Sequence, residues 1–219
     1  MNASPKTVIG IVTRLSNKGD AGKLIEVFCD DGIVKVYAAG ARRLTSKFLP
    51  LTTLFSLVSL ECIPNGDMML LRDGKQLARY DNIEKDAIKF AIAADVIKNI
   101  GIAVANTADG NKFGALLHVF IKQLNDLGEY DECRNEILTL TVKTYVYVLA
   151  YCGIDVLACA GQQAGNSSLV GMLSWLSGKR VSEAMLDDTV FDDAEWAYRT
   201  LSDIYNEQLD IRPDKQIIL

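Results

Sequence analysis

The chain of 219 residues contains one histidine, four prolines and five cysteines, and no long uninterrupted apolar run. Each scarcity excludes something. His118 stands alone in a stretch with helical spacing, so neither an imidazole metal cage nor an imidazole pair for acid and base catalysis can be assembled. It reads as a packed or surface residue. The cysteines (Cys29, Cys62, Cys133, Cys152, Cys159) are odd in number and scattered, which is no disulfide framework and points to a reducing compartment. A tetrahedral zinc site needs four good donors. Only Cys152 and Cys159 lie near each other, with no CxxC pair, so no metal is expected. The longest apolar stretch, Ile137 to Tyr151, is interrupted by Lys143 and falls short of the ~20 residues a membrane helix needs. It reads as a buried helix. The start, Met1-Asn2-Ala3-Ser4-Pro5-Lys6, lacks the basic, apolar and small-residue order of a secretory signal. A soluble cytoplasmic protein without membrane contact is the expectation. No nucleophile, base and orienting group can be combined, so no enzymatic activity and no cofactor are expected.

What the chain does have is a charge asymmetry. Met1 to Tyr80 carries eleven Lys/Arg against seven Asp/Glu, a balance of +4. Asp81 to Leu219 carries twelve against twenty-one, a balance of −9, giving the overall −5. A change of sign at one point suggests two surfaces with different partners, the basic one suited to phosphate backbones.

The local pattern changes at the same place. Before Tyr80, short β-branched runs alternate with turn signals: Val8 to Leu15, Lys23 to Cys29, Ile33 to Ala39, Leu54 to Ile63 and Met68 to Arg72. Asp30-Asp31-Gly32 and Pro64-Asn65-Gly66-Asp67 mark hairpins, and Asp73-Gly74 reads as a further turn. Five short strands favour a closed barrel, because an open sheet leaves exposed edges. After Tyr80 the spacing is helical. Asp81 or Asn82 caps a helix reaching Ala105, and helical stretches follow at Phe113 to Leu127 and Glu132 to Tyr151. Ala160 to Ser168 reads as loop, Leu169 to Leu176 as a short helix and Ser182 to Leu186 as another turn of helix. Asp192 or Asp193 caps a last helix through Leu209, which Pro213 ends. The expected architecture is α+β multidomain: a five-stranded barrel over residues 1–80 and an all-α domain over 81–219.

The most informative segment is Gly40-Ala41-Arg42-Arg43-Leu44-Thr45-Ser46-Lys47-Phe48, which offers three cations and two hydroxyls after a strand. An arginine fork matches phosphate oxygens; the alternative is a solvated loop. In the strand before it, Ile33, Lys35 and Tyr37 share one face and Val34, Val36 and Ala38 the other. The first face puts a cation beside an aromatic ring, a combination that binds single strands by stacking and neutralisation, unless Tyr37 only packs a barrel edge. Asn17 to Lys23 imitates a nucleotide loop but fails, since Asn17 stands where glycine is required and Leu24 follows the lysine. Asp187, Asp188, Asp192, Asp193 and Glu195 either hold a hard cation or crowd a helix N-terminus because the dipole favours acids there.

The order Gly10-Ile11-Val12, Gly19-Asp20, Lys23-Leu24-Ile25, Gly32-Ile33-Val34-Lys35, Gly40-Ala41-Arg42-Arg43 and Ser46-Lys47-Phe48 resembles the N-terminal barrel of the RecO family. Leu49-Pro50-Leu51 before the next strand fits the same pattern, as does the C-terminal Ile204-Tyr205-Asn206-Glu207-Gln208-Leu209 followed by Arg212-Pro213. The resemblance implies an oligonucleotide-binding (OB) fold followed by a helical domain. It implies binding of single- and double-stranded DNA, annealing of complementary strands, and loading of RecA recombinase together with RecR on DNA covered by single-stranded DNA-binding protein. The acidic C-terminal tail of that protein is a further implied partner, and a nucleoid-associated place in the cytoplasm follows. The matching basic residues are Arg14, Lys23, Lys35, Arg42, Arg43 and Lys47, with Tyr37 as the stacking ring. The chain departs from the family in lacking four zinc-binding cysteines and in carrying Gly22 where a second acidic loop residue is usual. A different class, a protein-interaction adaptor built on an SH3-like barrel, is the alternative.

Overall fold

The computed structural model describes residues 4–105, 107, 111–163 and 167–209. Two compact units divide it: Met1–Asp81 with Asp109–His118, and Asn82–Ala108 with Val119–Leu219.

The first unit is a closed barrel of β1 (Lys6–Lys18), β2 (Gly22–Cys29), β3 (Gly32–Ala38), β4 (Leu57–Asn65) and β5 (Met68–Ala78), in the spatial order β1-β2-β3-β5-β4. Strand β1 closes it by serving two partners. Its first half pairs with β4 from Lys6 to Ile11, and it pairs with β2 from Gly10 to Lys18. A register shift between Val12 and Arg14 bends β1 so that it can do both. Strands β3 and β5 meet in parallel at Val36–Met69 and Tyr37–Leu70. Alternation then divides the side chains. Val8, Val12, Ile25, Val27, Val36, Val58, Leu60, Cys62 and Leu71 fill the interior. Neither Cys29 nor Cys62 is accessible, and burial pushes the Cys62 thiol up to about 11.

One outward patch is apolar as well. Ile11, Phe28 and Leu57 stand opposite one another on β1, β2 and β4, and Phe28 is only 1 % exposed. The start of α3 (Asn111–Asp126) lies over this patch, with Gly114, Ala115 and His118 lining a small cavity beside Ile9, Ile11 and Phe28. The approach at Gly114 is close, since a Cβ there would lie 3.0 Å from Asp30 Oδ1 and the Asp30 side chain would have to give way. His118 Nε2 is 3.1 Å from the Tyr80 hydroxyl. It is therefore a packing residue of the first unit, in line with the sequence reading.

In the second unit, α4 (Arg134–Tyr151) is the central element. Every side chain from Ile137 to Leu149 is buried, which is why the sequence shows no polar face. Packed on it are α2 (Ala87–Ala105), α5 (Val156–Gln163), α6 (Ser167–Ser177), α7 (Val181–Met185) and α8 (Ala194–Gln208). The buried polar groups of α4 are satisfied locally. Thr141 and Thr144 donate to the carbonyls of Ile137 and Leu140, each at 2.8 Å. Lys143 donates to the Asp187 carbonyl at 2.7 Å beneath the rings of Trp175 and Phe191. Among the described residues no helix is long and apolar enough to cross a membrane.

Four local expectations are corrected. Asp73-Gly74 does not turn: β4 offers a partner along the whole hairpin, so β5 runs on to Ala78 with Gly74 opposite Leu60 and Arg72 bulged out. The fourth strand begins at Leu57, because Phe55 adopts a left-handed φ of 55°, rare for a bulky residue, and turns the chain there. The expected helix from Asp81 to Ala105 is two, α1 (Asp81–Lys85) and α2. Asp86 interrupts it, accepting the amides of Ile88, Lys89 and Tyr130 at 2.9, 3.0 and 2.7 Å. The segment read as loop is helical through Gln163 and again from Ser167. Arg212-Pro213 lies outside the described residues.

Candidate nucleic-acid interface

Strand register decides which of the cations can act together. Residues directly opposite one another share a face. Arg14 opposes Glu26, which opposes Lys35; Ser16 opposes Leu24, which opposes Tyr37; Lys18 opposes Gly22. All lie on the outer surface of β1, β2 and β3. Arg14, Lys18 and Lys35 are exposed, and Tyr37 is half-buried. The Tyr37 ring lies over Gly22, where a Cβ would sit 2.5 Å from its Cε2 and 2.6 Å from its hydroxyl. The glycine that departs from the family pattern is thus the seat of the ring. Lys18 Nζ is 6.0 Å from the ring centroid, within reach of a cation–π attraction. A flat aromatic surface results, with cations on either side and one carboxylate, Glu26, between Arg14 and Lys35.

The Gly40–Phe48 loop is anchored beside the β1–β2 turn. The Arg42 amide donates to the Ala21 carbonyl at 2.9 Å and its Nη1 to the Asp20 carbonyl at 3.2 Å. The Arg43 amide donates to Gly40 O at 3.1 Å and the Ser46 amide to Arg43 O at 2.9 Å, so the loop is a wound turn rather than a loose strap. Arg42 and Arg43 are exposed, and neither forms an ion pair with a described residue.

Two sequence candidates stand apart from that group. Lys23 opposes Ala38, an interior position, and reaches Thr52 Oγ1 at 3.3 Å and Thr52 O at 3.5 Å, closing the barrel end. Lys47 pairs with Asp73 at 3.0 Å, both side chains more than half exposed, and its hydrogen bond holds the Asp73 carboxyl below the ordinary range. The register thus gathers Arg14, Lys35 and Tyr37 on one face, with Arg42 and Arg43 on the loop beside the β1–β2 turn. Lys18 is the residue that sequence reading missed. Ending the first strand at Leu15 hid it; carrying the period of two past Arg14 and Ser16 finds it.

In the second unit two residues of the acidic cluster are held by cations. Asp187 is held by Lys179 at 2.5 Å, and Glu195 by Arg134 and Arg199 at 2.5 and 2.7 Å. Cys152 and Cys159 are half-buried free thiols.

A closed five-stranded barrel in the order β1-β2-β3-β5-β4 defines the oligonucleotide-binding fold, and proteins of that fold contact their ligands through strands 2 and 3 and the adjoining loops. The SH3-like alternative does not describe this barrel. Residues 1–80 match the family described as Recombination protein O N terminal. Over that stretch the chain is similar to the N-terminal domain of RecO-type recombination proteins, and the match supports a role in recombination and repair. No curated protein matches the chain.

Proposed function

We propose that this protein is a non-enzymatic recombination mediator whose barrel binds single- and double-stranded DNA and anneals complementary strands. The observation that carries the reading is the Tyr37 ring seated on Gly22 with Lys18 at 6.0 Å. Base stacking on such a ring is sequence-tolerant, while the cations track the backbone. Arg14, Lys35, Arg42 and Arg43 extend the positive surface on β1, β3 and the following loop. Two strands held this way repel each other less and can pair, with no covalent step. The helical unit, opposite in charge, serves as a docking body for protein partners: RecR, and the C-terminal tail of single-stranded DNA-binding protein, on the way to loading RecA. The protein acts in the cytoplasm at the nucleoid.

The test is fluorescence anisotropy of the whole chain with a labelled single-stranded oligonucleotide across a salt series, followed by a strand-annealing assay. Salt-sensitive binding that accelerates annealing is expected. No measurable affinity at low salt, together with a protein partner retained after nuclease treatment, would replace this reading with that of an adaptor.

A further inference from the structure

Leu44 is the most exposed large apolar side chain among the described residues, at 92 %. It stands at the tip of the wound turn, directly after Arg42 and Arg43, which are also exposed. An apolar side chain held in water by an anchored turn, with two adjacent guanidinium groups, is a preorganised contact element. DNA phosphates have no use for the leucine.

The second unit contains a cavity of about 430 Å³ of complementary character. Leu140 and Met185 form apolar wall, Asp126, Glu136 and Asp188 stand at its exposed rim, and Lys143 also lines it with its ammonium already donating to the Asp187 carbonyl. Glu136 and Asp188 have no ion-pair partner among the described residues. Gln123 lines the same cavity; its Nε2 donates to the Met185 carbonyl, while its Oε1 is shielded from solvent and accepts no hydrogen bond. A shielded acceptor beside unpaired carboxylates calls for a donor-rich cation, and the apolar wall calls for an aliphatic side chain next to it.

We propose that the Arg42-Arg43-Leu44 tip of one copy docks in this cavity of a second copy. Leu44 enters against Leu140 and Met185, and the guanidinium groups meet Glu136, Asp188 and the Gln123 oxygen. The contact is heterologous, since each copy offers one tip and one cavity, so it grows head to tail or closes into a ring. It rests on the complementarity of these two surfaces and not on the DNA-binding reading; loss of DNA affinity would leave it standing.

The experiment is sedimentation velocity of the whole chain at micromolar concentration, from about 0.01 M to about 1 M salt, over which the screening length falls from ~30 to ~3 Å. A weight-average mass at least twice the monomer's 24.0 kDa is expected at low salt, falling to the monomer at high salt. Leu44→Asp, which alters only an exposed tip, should abolish the association. Arg42→Glu/Arg43→Glu and Glu136→Lys/Asp188→Lys should each be monomeric alone and associate when mixed, a rescue that misfolding cannot imitate. A wild-type chain that is monomeric at every salt overturns the proposal. So does a Leu44→Asp chain that still associates, or a mixture that stays monomeric while the wild type associates.

Discussion

The sharpest prediction concerns the number of phosphates the barrel neutralises. Five cations on the β1–β3 face and its neighbouring loop form no ion pair with a described residue: Arg14, Lys18, Lys35, Arg42 and Arg43. Lys23 is turned to Thr52 and Lys47 is paired with Asp73. If all five meet single-strand phosphates, the plot of log affinity against log salt has a slope of about −3.5, at ~0.7 per phosphate. Glu26 between Arg14 and Lys35 makes that an upper bound. Replacing Arg42 and Arg43 together by Ala should flatten the slope by about 1.4. Lys47→Ala should leave it nearly unchanged, because that charge is already matched by Asp73. Anisotropy titrations of the three proteins with one labelled oligonucleotide measure all of this. An unchanged slope in the double variant, or a Lys47→Ala slope as flat as the double variant's, refutes the assignment of the loop cations.

Stacking and neutralisation should separate in the same assay. Tyr37→Ala should weaken single-strand binding by about 1–3 kcal/mol for each base that stacks on the ring, without altering the salt slope. A parallel change in slope would mean that the ring only positions cations. Gly22→Ala should reproduce part of that loss, since its methyl group would lie 2.5 Å from the Tyr37 ring and displace it; wild-type affinity would remove Gly22 as the seat. Lys89→Ala should destabilise the fold by about 1–3 kcal/mol in urea denaturation, because the buried ammonium caps the carbonyls of Leu127 and Gly128 at 3.0 and 3.3 Å. A midpoint equal to the wild type's would show those carbonyls finding water instead. In alkali, burial holds the phenols of Tyr145, Tyr198 and Tyr205 well above the ordinary range and pushes Tyr147 up to about 12, with the charge of Asp95 adding to the effect at Tyr145 and Tyr198. The folded state then keeps protons that the unfolded chain releases near pH ~10, so the tyrosine contribution to stability falls as pH rises above that value. Tyrosinate absorbance should show these four ionising only with loss of helical circular dichroism; all eight tyrosines titrating together in the folded protein would contradict it.

Much of the barrel is legible in the sequence because alternation and turn chemistry are local. The Asp30-Asp31-Gly32 and Asn65-Gly66-Asp67 hairpins need only the residues at the turn, and the division of Val34, Val36 and Ala38 from Lys35 and Tyr37 needs only a period of two. What escapes is settled at a distance. Asp73-Gly74 has the chemistry of a turn, yet a full-length partner strand draws it into β5. Phe28 looks like any strand residue, and only the arrival of Gly114 and Ala115 on the outer face explains why it is buried. Asp86 is one more charge in a helical pattern until its carboxylate is seen to cap α2 and to take the Tyr130 amide as well.

The candidate site was legible in its residue types and less so in its grouping, for a reason specific to barrels. Lys23 and Lys35 are equally basic and both sit in strands, yet a single step of register separates them. Lys23 falls opposite Ala38 and faces the barrel end; Lys35 falls opposite Glu26 and faces out. Composition counts both as positive, whereas a ligand on the outer face meets only one. Lys18 shows the converse, since its place in sequence suggests a loop and its pairing with Gly22 sets it beside the Tyr37 ring. The excess of +4 in the first eighty residues therefore does not describe the outer face, because it counts the Lys47–Asp73 pair, whose charges already cancel, and a lysine that points inward. What a nucleic acid meets is set by register, and in this barrel register places an aromatic ring and unpaired cations on the face from which the oligonucleotide-binding fold reads its ligand.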